Sequence, residues 1–135
     1  MPSELAHIND SAWEQLAAAA DYPEASFRYV SLCSVDAASR PQARMVVLRR
    51  ADVAQRLLEI HTDVRSAKWH ELSANPQATA PPAATHEADG KAHFGVVTFR
   101  TEVLDWFQLR RQNNRRACFA YGANGRLASS QWVNP

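Results

Sequence analysis

The residues best suited to a common chemistry are Arg44, Arg49, Thr62, Arg65, Ser66 and Lys68, carried on two neighbouring stretches, RPQARMVVLRR at 40–50 and LLEIHTDVRSAKWHELSAN at 57–75. Arginine and lysine supply positive charge, and the hydroxyls supply donors to an oxyanion. This is the composition of a site for a phosphorylated ligand.

Such a site needs elements to hold it. Residues 43–50 carry Met45, Val46, Val47 and Leu48 as an unbroken apolar run between arginines, which predicts a strand buried on both faces. After a turn marked by Asp52 and Gln55, residues 57–62 read as its antiparallel partner. A helix then opens within 62–68, carries Trp69 and Leu72, and stops at Asn75-Pro76. Its first turn presents unpaired N–H groups and a partial positive charge to an anion, before any side chain is counted. The same residues also suit an ordinary surface helix with Asp63 or Ser66 as N-cap and with Arg65 and Lys68 solvated, so spacing alone leaves both readings open.

Arg44-Met45-Val46-Val47-Leu48-Arg49, then His61-Thr62-Asp63-Val64-Arg65-Ser66-Ala67-Lys68 and Asn75-Pro76, resembles the FMN-binding signature of the pyridoxamine 5′-phosphate oxidase family, in its oxidase-related flavin-binding branch. Phe27-Arg28, Arg40-Pro41-Gln42, Leu104-Asp105-Trp106 and Arg115-Arg116 fit the same branch, so the resemblance spans most of the chain. It implies a mainly β fold with flanking helices, an antiparallel Greek-key split β-barrel that dimerises and holds FMN at the subunit interface. By position, Arg44, Ser66 and Lys68 would hold the phosphate, with Arg65 assisting. The backbone of Met45, Val46, Val47 and Leu48 would lie along the isoalloxazine, Arg49 at its edge, and His61 and Thr62 beside the ribityl chain. Trp106 or Phe107 would flank the flavin, and Arg116 would approach the flavin or a substrate phosphate.

The remaining segments are placed around this centre. Ser11-Ala12-Trp13-Glu14 has the form of a capping box, predicting a helix from there to about Ala20 with Trp13 and Leu16 facing inward. Residues 27–35 alternate as a first strand, which makes a three-strand meander before the second helix. From 76 to 91 the chain holds three of its seven prolines and no aliphatic core residue, so residues 76–93 are expected to be a mobile loop. Gln77-Ala78-Thr79-Ala80 begins a strand and runs into Pro81-Pro82, where the family continues with further barrel strands. The barrel is therefore expected to be shortened in the middle. Residues 93–99, 103–109 and 117–121 read as strands, and Asn124-Gly125 turns the chain into a last strand at 127–133.

With 15 basic and 14 acidic residues, no global charge points to nucleic acid or an anionic membrane. The arginines of 110–116 read as a solvated loop rather than an RNA site. No apolar stretch approaches membrane-spanning length and no secretory leader is evident, so the expected location is cytoplasmic, with Cys33 and Cys118 free and buried. The five histidines lack metal-ligand spacing, and the four glycines form neither a dinucleotide fingerprint nor a phosphate loop. The expectation is one domain over 1–135 that binds FMN as a homodimer, with no metal, no nucleic acid and no membrane. Two functions stay open: an FMN-dependent oxidoreductase of undetermined substrate with no assignable catalytic residue, or a non-catalytic flavin-binding or cofactor-less protein. The resembling oxidases hold substrate with an Arg-x-His pair, and here no histidine accompanies Asn113-Asn114-Arg115.

Overall fold

The computed structural model describes residues 3–79 and 94–135. The element order is α1 (Glu4–Asp21), β1 (Tyr29–Val35), β2 (Pro41–Asp52), β3 (Leu57–Asp63), α2 (Ala67–Ala74), β4 (Phe94–Arg100), β5 (Val103–Gln108), β6 (Arg115–Tyr121) and β7 (Leu127–Val133). The described strands form two antiparallel sheets, ordered β1-β2-β3-β4 and β5-β6-β7, neither of them closed. This is the split barrel expected from the sequence, each half running as a meander. Most of the expected loop lies outside the described residues. Its entry is visible: Thr79 exchanges two backbone hydrogen bonds with Cys33 on the outer edge of β1, at 2.6 and 3.0 Å.

Each sheet has its own core, with α2 on the first, while α1 sends Trp13 into the second and also lies along β2. Alternation in β1 turns Val30, Leu32 and Ser34 inward, where Val30 and Leu32 meet Val46, Ile60 and Leu72 of α2. In the second sheet Ala117, Phe119 and Tyr121 pack against Trp13 of α1, with Leu58 reaching over from the first.

Three expectations are corrected. Helix α1 starts two turns before Ser11: Ser3 is its N-cap, accepting from the Ala6 N–H at 3.1 Å, while Ser11 accepts from Gln15 Nε2 at 3.3 Å on the exposed face. Helix-forming residues between Ser3 and Ser11 simply extend the helix to an earlier cap. Strand β2 is not buried on both faces: Val46 and Leu48 are buried, whereas Met45 and Val47 are half-covered. The thiols are free but only half-buried, because both lie on strand faces turned away from the cores.

The sheets are locked together by two turns. Gly125, at φ 78°, presses its backbone on Gln55, so that a Cβ there would lie 2.7 Å from the Gln55 carbonyl. Arg56, itself at φ 58°, donates from Nε to the Gly125 carbonyl at 3.2 Å. Replacing Gly125 with alanine meets both a left-handed backbone and a backbone collision. The expected cost is about 2–4 kcal/mol, read as a lower urea midpoint at unchanged slope.

Candidate functional site: the start of the second helix and the strands beside it

The turn from β3 into α2 is built by Asp63, whose carboxylate accepts from the Arg65 N–H at 2.8 Å while its carbonyl accepts from the Ser66 N–H at 3.0 Å. Ser66 then caps α2, accepting from the Trp69 N–H at 3.3 Å, and its hydroxyl lies 3.3 Å from that of buried Thr62. The remaining first-turn N–H groups, of Ala67 and Lys68, have no helical partner. Trp69 fixes the helix against β4, because Gly95 leaves room for its ring: a Cβ on Gly95 would meet Trp69 Cζ3 at 2.6 Å.

The cations around this turn are not equivalent. Arg65 is 61% exposed and already paired with Asp63, its Nη2 2.8 Å from Oδ2, and that hydrogen bond raises its pKa. Lys68 is partly covered and has no ion-pair partner among the described residues. Burial, then the positive charge of Arg44, pull its ammonium below the usual lysine range, against a smaller opposing effect of Asp63. Two cations that repel each other at a helix N-terminus form a place where an oxyanion is favoured.

Arg44 reaches the site from β2. Its Nη1 donates to Ser34 Oγ at 2.9 Å and its Nη2 to Glu71 Oε2 at 2.6 Å, while Ser34 Oγ also donates to Glu71 at 3.0 Å. Sequence reading missed Ser34 and Glu71. Ser34 lies on the inward face of the first strand's alternation, and Glu71 stands one turn after Lys68, so a buried hydroxyl and a helix carboxylate beside an arginine were signals available in the sequence.

The other expected residues are placed as follows. Val46 belongs to the first core and Leu48 is buried on the same face of β2, while Met45 and Val47 share the opposite face. The register between β2 and β3 slips between Leu48 and Arg50, leaving Arg49 as the extra residue of a bulge, a device that re-aims a side chain. His61 Nε2 lies 3.1 Å from Glu59 Oε1. Trp106 and Arg116 belong to the second sheet. Trp106 meets Trp132 edge-on with centroids 6.4 Å apart, under the guanidinium of Arg115, which donates to Gln108 Oε1 and to Glu4. Arg116 donates from Nε to Asp105 at 2.9 Å and holds that carboxyl below the usual carboxylate range. Arg115 and Arg116 are thus strand residues with carboxylate partners rather than members of a solvated loop.

Residues 10–115 match the pyridoxamine 5′-phosphate oxidase FMN-binding domain, well over half of the chain. The chain belongs to that family. The family match contains the whole turn into α2 and every strand of the first sheet. Among solved structures, the fold is similar to that of a pyridoxamine 5′-phosphate oxidase-related, FMN binding protein from Nostoc punctiforme, with a TM-score of 0.70 and 14% identity over 100% of both chains. At that identity the likeness establishes the split-barrel fold. Among the described residues no cluster of histidine, cysteine or carboxylate side chains is arranged for a metal, and no helix is long and apolar enough to cross a membrane.

Proposed function

We propose that this protein binds FMN, with Lys68, Arg44 and Ser66 holding the phosphate at the start of α2, and that it is a flavin-dependent oxidoreductase. The observation that carries the reading is the convergence of Lys68 and Arg44 on a helix N-terminus whose first N–H groups have no helical partner. Arg65 contributes less, since its side chain is largely exposed and solvent screens its charge, whereas Arg44 is mostly covered. Thr62 and His61, near the end of β3, serve the ribityl chain, the backbone of β2 from Met45 to Leu48 serves the ring, and Arg49, at the bulge of β2, serves the ring edge. Trp106 and Arg116, on the second sheet, serve the flavin from across a homodimer interface.

FMN, when bound, supplies a ring that accepts and returns a hydride. The protein's own part is to anchor the phosphate and to orient that ring against the β2 backbone. The test is an absorbance spectrum after incubation with excess FMN and desalting, paired with the mass in solution. A retained flavin spectrum on a dimer is expected; a colourless protein would remove the cofactor reading and the catalytic one with it. Turnover of amine or alcohol substrates by the loaded protein then separates an oxidoreductase from a flavin carrier.

The affinity should follow a bell in pH. Below about pH 6 the phosphate gains a proton and loses half its charge, which weakens binding. On the alkaline side Lys68 loses its proton in the free protein at a pH below the ordinary 10.5, because its pKa is lowered. Binding must then restore that proton, so affinity falls as pH rises through the lowered value. Fluorescence titrations across pH should show this alkaline limb in the native protein and lose it in Lys68→Arg, which stays charged. A native profile flat up to the ordinary lysine range would place the phosphate away from Lys68.

A further inference from the structure

Arg44 is held from behind. Of its five N–H donors, one bonds Ser34 Oγ and one bonds Glu71 Oε2, and Ser34 closes the triangle by donating to the same carboxylate oxygen. The other donors have no acceptor among the described residues. Glu71 is well covered, with 10% of its side chain exposed against 22% for Arg44, and Ser34 is 3% exposed, so the triangle sits beneath the surface that a ligand would meet. The positive charge of Arg44 is felt at Lys68, so the two cations lie close enough to act on one anion.

We propose that Glu71, with Ser34, is a positioning residue that fixes Arg44 so that its remaining donors face the same anion as Lys68, and thereby sets the preference for a phosphorylated flavin over its dephosphorylated form. This rests on the FMN-binding reading above. A long arginine side chain free in solvent must lose its rotamer freedom when it grips a ligand. Here the loss is met during folding, by two hydrogen bonds to groups from a different strand and a different helix. A planar guanidinium tied at two corners presents its other edge in one orientation, which a lysine at the same place would not do. The alternative is that the carboxylate competes with the phosphate for Arg44, and it predicts the opposite sign.

The experiment measures Kd for FMN and for riboflavin in parallel, for the native protein, Glu71→Gln, Glu71→Ala and Ser34→Ala. Glu71→Ala should weaken FMN binding about tenfold and leave riboflavin unchanged, so the FMN-to-riboflavin ratio falls by that factor. Glu71→Gln, which keeps an acceptor for Arg44, should recover part of the ratio. If Glu71→Ala does not fold, Ser34→Ala removes the hold from the strand side and should lower the same ratio. Loss of affinity for both flavins in parallel, an unchanged ratio, or tighter FMN binding in Glu71→Ala would each overturn the positioning role. Native protein that binds neither flavin would instead overturn the FMN reading itself, so the two failures are distinct.

Discussion

Lys68→Ala combined with Arg44→Ala should weaken FMN binding by about two to four orders of magnitude while riboflavin affinity stays within about a factor of three. Each residue is expected to make a charge-assisted hydrogen bond to the phosphate, worth about 1.5–3 kcal/mol, and a factor of ten corresponds to about 1.4 kcal/mol. Neither loss can be made good by Arg65, whose guanidinium is committed to Asp63 and exposed. Arg65→Ala is therefore the control, with an expected change of less than about fivefold, the scale of an exposed pair. Arg44→Ala alone also leaves Glu71 well covered and without its cation, so its effect on stability must be measured beside its effect on binding. Flavin fluorescence titration reads all of these. Unchanged FMN affinity in the double variant would move the phosphate site off the start of α2.

Trp13→Ala should lower the stability of the domain by about 4–5 kcal/mol, a large fraction of the 5–15 kcal/mol typical of a folded domain. Trp13 is fully buried and is the place where α1 enters the second core, against Ala117, Phe119 and Tyr121. Its Nε1 donates to the Tyr121 hydroxyl at 2.8 Å, and that hydroxyl donates in turn to buried Asn9. The two rings meet edge to face, 5.9 Å apart, and the Arg56 guanidinium stands 5.2 Å from the Trp13 ring. Alanine removes the largest side chain of this cluster and leaves a cavity the surrounding strands cannot close. Trp13→Phe keeps most of the volume and loses the N–H donor, so about 1–2 kcal/mol is expected. Urea unfolding followed by circular dichroism measures both. A loss below about 2 kcal/mol for Trp13→Ala would show that the second sheet holds its core without the helix.

The fold was legible because its signals are local. Alternation in 29–35, the Asn124-Gly125 turn and the Asn75-Pro76 stop each act over a few residues, and each appears where expected. The start of α1 was misplaced because Ser11-x-x-Glu14 satisfies the pattern of a capping box equally well inside a helix, where Ser11 bonds Gln15 instead. An N-cap is decided by where the chain stops being helical, which at Ser3 is set by its extended backbone.

The motif around Arg65, Ser66 and Lys68 was visible as a set of residue types, and the chain alone marks it as suited to an oxyanion. What each cation is for was not visible. Arg65 and Lys68 look interchangeable in a one-dimensional list, yet Asp63 pairs directly with Arg65, whereas Lys68 feels Asp63 only weakly and is partly covered beside the positive charge of Arg44. Arg44 meets Ser34 and Glu71 across separations of 10 and 27 residues. Contacts of that kind depend on strand register and on where α2 lands, which Gly95 decides by leaving space for Trp69. Sequence alone determined the elements, their order and the chemistry they carry, because hydrophobic period, caps and turns are properties of neighbouring residues. Only the packing of α2 on β1 and β4 decided which charge is matched and which remains to meet a ligand, because charge compensation is a property of distance in space.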